Sequence, residues 1–152
     1  MSIQTQSMAL LEHEMVLQVF TISTSKNPPS CKDDSFGTPT GLHAIADKIG
    51  AGASEGMVFK SRIATGRLYG DFPTKEASDN LITSRILRLR GMEPGLNSGP
   101  NCDSYARYIY IHGTNHEARV GHPFSSGCVE MTNNDVIKLF SCVKEGDLVW
   151  IR

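Results

Sequence analysis

The stretch RYIYIHGT, Arg107 to Thr114, reads as a clear strand that ends at His112, where Gly113 lets the chain turn sharply. Fifteen residues separate His112 from Cys128, which stands in SSGCVEM, Ser125 to Met131, directly after a glycine and two small hydroxyl residues. The chain that follows Cys128 reads as a helix start. Thr132 is the expected cap, with Asp135 three residues on as a weaker version of the capping box. Val136, Leu139, Phe140 and Val143 fall at helical spacing, Lys144 lies near the helix end, and Gly146 is the expected terminator.

Strands dominate the flanks. Glu14 to Thr24, Met57 to Ala64, Ser84 to Arg90 and the closing DLVWIR each read as one strand. Leu42 to Gly56 reads as a strand in its first half and a Gly/Ala/Ser loop in its second. Three stretches read as loops: 25–41, 65–80 and 92–106, the second with weak helical character near its end. With no internal repeat and no linker, residues 1–152 are expected to form a single domain. The expected architecture is mainly β, a sandwich or partly open barrel with one or two helices.

Bulk properties narrow the function. The 152 residues are 39% hydrophobic and 20% charged, which suits a globular protein rather than a disordered one. The net charge is -1 and the pI about 6.5, so there is no electrostatic case for a nucleic-acid partner. No stretch approaches the length of a membrane helix, and no membrane partner is expected. No basic residue precedes Lys26 and EHE breaks the early apolar run, unlike a secretory leader. The expected location is therefore the cytoplasm, or the periplasm if a leader has been removed. Of the four cysteines, Cys31, Cys102 and Cys142 read as small buried hydrophobes, and free thiols are preferred to disulfides.

Cys128 reads differently. A thiol with a pKa of about 8.5 is only slightly ionised at neutral pH, so a nucleophilic cysteine needs a base or a positive neighbour. His112, with an ordinary pKa of about 6.5, suits that task. A metal site built from His112, His116, His122 and Cys128 matches none of the usual zinc spacings, and no cofactor is expected.

The string IHGT…GHPFSSGCVEMTNNDVIKLF…GDLVWI resembles the L,D-transpeptidase catalytic domain, the YkuD family. The family pattern is His-Gly, a spacer, then Ser/Thr-His-Gly-Cys, a hydrophobe and Arg or Asn. VFTISTSK…SFGTPTGLH resembles the family's first strand and Thr-Pro-x-Gly turn, so the likeness runs from about Val19 to Ile151. It implies a β-sandwich acyltransferase acting on peptidoglycan stem peptides, or muropeptides. Cys128 is then the nucleophile and His112 the general base. The Gly113 carbonyl orients the imidazole, and the Gly127 and Cys128 N–H groups face the oxyanion. Tyr110, Arg107, Ser126 and Glu130 are the expected substrate contacts; Arg85 and Arg88, with Arg107, are candidate carboxylate binders, of which at least one is expected to be plain strand-surface charge instead.

Two positions depart from that pattern. Ser126 stands where the family has His, and Glu130 where it has Arg or Asn. Glu130 is open to three readings: exposure at a helix start, pairing with Arg107 or Arg119, or contact with the diamino acid's ammonium. His122 could partly replace the missing imidazole, although an exposed loop position is preferred for it, and His116 is expected to be exposed. The preferred activity is an L,D-carboxypeptidase that removes D-Ala from the tetrapeptide in murein recycling. The alternative is an L,D-transpeptidase that forms 3-3 cross-links.

Overall fold

The computed structural model describes residues 1–73 and 78–152. The chain opens with a hairpin of β1 (Ser7–Glu12) and β2 (Met15–Thr21). Next come β3 (Gly41–Ile49), β4 (Met57–Lys60), β5 (Ile63–Leu68), β6 (Ile82–Gly91) and β7 (Tyr110–Thr114). The chain ends with β8 (Val129–Met131), α1 (Asn133–Cys142) and β9 (Leu148–Ile151). Seven of the strands form one sheet and β1–β2 a second. Neither sheet closes, in keeping with the expected mainly-β, partly open architecture.

β6 is the spine of the large sheet. β7 runs antiparallel along one of its edges, while β4 and β3 share the other, at Ile82–Thr83 and Ile86–Gly91 respectively. β8 continues the sheet beyond β7 and is parallel to it, with His112 paired to Glu130. Alternation along these strands separates two faces. Leu87, Leu89, Ile111, Val129 and Met131 point to the main core, where Val136, Leu139 and Phe140 of α1 and Met8 and Phe20 of the hairpin cover them. Each such side chain, fully buried, contributes roughly 1.5–3 kcal/mol, so this face carries most of the stabilisation. The opposite face carries Ile86 and Tyr110, packed with Phe59 and with Cys128 against them. His112 and Glu130 share that second face.

Four sequence expectations change. The strand expected over Glu14–Thr24 is half of a hairpin: His13 and Glu14 turn the chain at φ of 46° and 68°, so the charges of EHE mark a turn. Met57–Ala64 is likewise two strands, β4 and β5, joined at Ser61 and Arg62 with φ of 48° and 68°. Both turns have the left-handed backbone of two-residue hairpins but lack the usual glycine. Cys128 leads into β8 rather than directly into the helix. Thr132 does cap α1, its Oγ1 accepting from Asp135 N at 3.2 Å. The helix stops at Cys142, well before Gly146, whose N–H instead donates to Ile45 O at 2.9 Å. The weak helical character near the end of 65–80 falls largely on 74–77, outside the described residues.

One residue ties the sheet to the helix. Asn133, the first residue of α1, is buried, and its Oδ1 accepts from Thr83 Oγ1 at 2.6 Å and Ser84 Oγ at 2.5 Å. Its Nδ2 donates to Thr114 O at 3.0 Å and Glu117 Oε1 at 2.9 Å. Removing it strands several buried polar groups. Asn133→Ala should therefore lower the unfolding free energy by about 2–4 kcal/mol in urea denaturation, against within about 0.5 kcal/mol for the exposed Asn134→Ala.

Candidate active site

His112 is the middle residue of β7, a strand buried along its whole length. Its Nδ1 is 2.8 Å from Gly113 O, and the ring lies close enough to Cys128 for the two groups to interact. With Nδ1 donating to that carbonyl, Nε2 is the nitrogen left for the sulfur. Burial by itself disfavours a charged ring. That effect is outweighed by Cys128, the Glu130 carboxylate and the Gly113 carbonyl, and the His112 pKa is raised to about 9. The ring is therefore an imidazolium at neutral pH.

Cys128 is half-buried at the end of a strapped turn. Ser125 Oγ donates to Cys128 O at 2.6 Å, and Gly127 adopts φ of 121°, which a side chain would strain. The sulfur also lies 3.5 Å from Tyr108 O, a contact that only the protonated thiol makes as donor. Tyr108 itself holds a left-handed φ of 57°. The sulfur thus has two alternative partners, the Tyr108 carbonyl as a thiol and the His112 imidazolium as a thiolate. The four cysteines are free thiols, but of the three expected to be buried hydrophobes only Cys102 is buried; Cys31 is half-buried and Cys142 exposed.

Next to the Cys128 turn, on the far side of Tyr108, lies a cleft of about 370 Å³ lined by Asp33, Asp34, Phe36, Arg107, Tyr108 and Ser126. Ser126 is exposed there, as a substrate contact must be. Arg107 lines the cleft but points its guanidinium into the 30–37 loop, donating to Ser30 O at 3.1 Å, Ser35 Oγ at 3.3 Å and Gly37 O at 2.8 Å. It shapes the wall and has few donors left for a substrate.

The remaining expected substrate contacts are placed differently. Tyr110 is buried under the site, its hydroxyl accepting from Arg62 Nη1 at 3.2 Å. Glu130 is neither exposed nor paired with an arginine. It is fully buried on β8, and its Oε1 accepts from Asn80 Nδ2 at 2.6 Å. Substrate cannot reach it, because parallel pairing beside β7 turns it to the inside of the sheet. Arg85 donates to Ala53 O at 2.7 Å and Ser84 O at 2.6 Å, and Arg88 stacks 3.4 Å from the Tyr105 ring centroid. Both serve packing. The Gly127 N–H, expected to face an oxyanion, lies 3.3 Å from Ser125 Oγ and donates to it, leaving that of Cys128 as the better candidate. His122 is exposed, as preferred, while His116 is half-buried with its ring edge-on to Phe124.

Three residues near the pair escaped the sequence reading. Arg62 reaches Tyr110 and lies 5.0 Å from the Tyr108 ring, but the hairpin that presents it has no glycine to betray it. Asn80 covers Glu130 from a loop whose composition carries no signal. Tyr108 closes the cleft through a backbone conformation invisible in a strand-like sequence.

A buried imidazolium against a half-exposed thiol, with a cleft next to the cysteine turn of an open β-fold, defines a thiol–imidazole site. The family profile of the L,D-transpeptidase catalytic domain, YkuD, matches residues 1–151, and the chain belongs to that family. The YkuD protein of Bacillus subtilis (strain 168), named as an L,D-transpeptidase, is 37% identical over 91 residues, 59% of this chain and 51% of its own length. Its namesake in Bacillus licheniformis is 46% identical over 90 residues, 59% of this chain and 50% of its own. The aligned segments thus cover about half the length of these relatives. An L,D-transpeptidase structure from Mycobacterium smegmatis superposes with a TM-score of 0.60 at 16% identity, covering 99% of this chain and 56% of the other. That likeness concerns the fold.

The site geometry has a direct spectroscopic consequence. Followed by ¹⁵N NMR, the His112 ring should stay protonated through neutral pH and release its proton near pH 9. In Cys128→Ala the group that most favours the charged ring is gone while burial still opposes the charge, so the titration should move to lower pH. A neutral His112 ring at pH 7 in the unaltered protein would contradict the raised pKa of the ring.

Proposed function

We propose that the protein is a cysteine acyl-enzyme hydrolase of peptidoglycan stem peptides, an L,D-carboxypeptidase that releases D-Ala from the tetrapeptide. The observation that carries this reading is the His112–Cys128 pair, with a cleft next to the Cys128 turn. The Cys128 sulfur attacks the carbonyl between the diamino acid and the terminal D-Ala. His112 gives its proton to the departing amine as the C–N bond breaks, and a thioester remains. Nε2, now neutral, takes a proton from water as the water oxygen attacks the thioester. The C–S bond breaks, the tripeptide carboxylate leaves, and the thiolate–imidazolium pair is restored. The Gly113 carbonyl keeps Nδ1 protonated and the ring oriented through both steps, in place of a triad carboxylate. The Cys128 N–H is the nearest donor for the developing oxyanion.

Water as acceptor is supported by Ser126, which puts a small hydroxyl at the cleft where the family pattern has an imidazole. On this reading the substrate is soluble muropeptide in murein recycling, and the protein works in the cytoplasm. The second reading, an L,D-transpeptidase forming 3-3 cross-links, draws on Asp33 and Asp34 in the cleft wall. Two carboxylates there could attract the ammonium group of an acceptor peptide.

Incubation with purified tetrapeptide separates the readings. Free tripeptide and D-Ala are expected from the hydrolase. Cross-linked dimer without free tripeptide would establish the second reading instead. Cys128→Ala should abolish turnover, and His112→Ala should reduce it roughly a hundred- to ten-thousand-fold. Cys128→Ala acting like the unaltered protein on every muropeptide would overturn thiol catalysis altogether.

A further inference from the structure

Among the described residues Glu130 is the one fully buried carboxylate beside the pair. Its backbone is locked on both sides. β8 pairs with β7 in register, with Glu130 opposite His112, and Glu130 N and O each bond Ser23 at 2.8 Å. Residues paired in a parallel ladder point to the same face, so the carboxylate and the imidazole are side by side. Asn80 Nδ2 holds Oε1 at 2.6 Å, and Asn80 Oδ1 is in turn held by Thr114 Oγ1 at 3.2 Å. Oε2 is buried with no hydrogen-bond partner among the described residues. A buried carboxylate with an unpaired oxygen is costly unless a positive charge stands close by.

We propose that Glu130 is a positioning residue for His112, a fixed buried carboxylate that keeps the imidazole in its charged form and thereby favours the Cys128 thiolate. It acts through the ring and never touches substrate. The Gly113 carbonyl orients the ring, while Glu130 supplies the negative charge that a carbonyl lacks. The relation is reciprocal, because the imidazolium is the cation that the buried carboxylate needs.

Among the described residues, the titratable groups acting on the ring are Cys128 from the turn and Glu130 from β8. β6 presents Ile86 to it and carries Arg85 away to Ala53 and Phe140. Tyr110 of β7 is engaged by Arg62. Beyond β7, His116 packs on Phe124 and Glu117 accepts from Asn133.

The proposal deepens the thiol–imidazole reading, but its test needs no peptidoglycan. In Glu130→Gln, the His112 ring titration followed by ¹⁵N NMR should fall by on the order of one pH unit or more. Alkylation of Cys128 by iodoacetamide at neutral pH should slow in parallel. Glu130→Asp, which keeps the charge, should recover part of both. A purely packing role would lower thermal stability in Glu130→Gln and leave the ring titration where it was, and that result overturns the proposal. Should Glu130→Gln fail to fold, the unaltered protein still decides. The Glu130 side-chain carboxyl ¹³C resonance should step at the pH where the ring titrates, and a flat response there also overturns it. Failure of the function reading shows separately, as missing turnover of tetrapeptide by a protein whose ring and thiol titrate as described.

Discussion

At Gly113 the backbones of β6 and β7 and the first residue of α1 come into contact. A Cβ placed there would lie 2.8 Å from Asn133 Oδ1 and from Thr83 O, and 3.0 Å from Thr83 Oγ1. No side chain fits. The same glycine supplies the carbonyl that holds His112 Nδ1, so its close packing on one face of the sheet fixes the imidazole on the other. Asn133 completes the junction by binding Thr83, Ser84 and Thr114 at once. The helix that covers the core is thus bolted to β6 and to β7, the strand that carries His112. A displacement of either strand reaches the ring directly.

Burial sets the second constraint. An imidazole removed from water loses the solvation that stabilises its charged form. Here the loss is offset by groups that the fold, not the local sequence, brings together. Cys128 arrives on a turn strapped by Ser125, and Glu130 arrives on the short parallel strand β8. Cys128 is partly exposed and His112 is buried, so the thiol is reachable while the ring is not. Asymmetric access of this kind lets the sulfur react while its proton donor stays shielded from exchange with bulk solvent.

Much of the fold is legible in local chemistry. β3, β6, β7 and β9 announce themselves by β-branched and apolar runs, and α1 by its Thr132 cap and the 3.6-residue spacing of its buried side chains. The hairpins at His13–Glu14 and Ser61–Arg62 are not legible, because their left-handed turns use residues that carry no turn signal. The helix end at Cys142 is missed for a related reason. Gly146 looks like a stop, but the Val143 N–H already closes the last turn on Leu139 O. At the site, His112, Gly113, Cys128 and Ser126 stand where a strand-end histidine and a Gly-Cys turn suggest. The arginines mislead, since a guanidinium carries no sign of whether it will face solvent, a ring or a loop carbonyl.

By itself, the sequence determined the mainly-β class, the capped helix and the pairing of one histidine with one cysteine, because each rests on chemistry among near neighbours or on a motif within one strand and one turn. The tertiary structure alone decided which way the side chains around that pair face. Parallel pairing of β8 with β7 buries Glu130 beside His112, although the residue is polar and looks fit for solvent or substrate. The 30–37 loop claims Arg107, and a hairpin far away in sequence delivers Arg62 to Tyr110. Strand partnership, register and loop docking are contacts between distant residues, and those contacts set both the direction of a side chain and the charge around it.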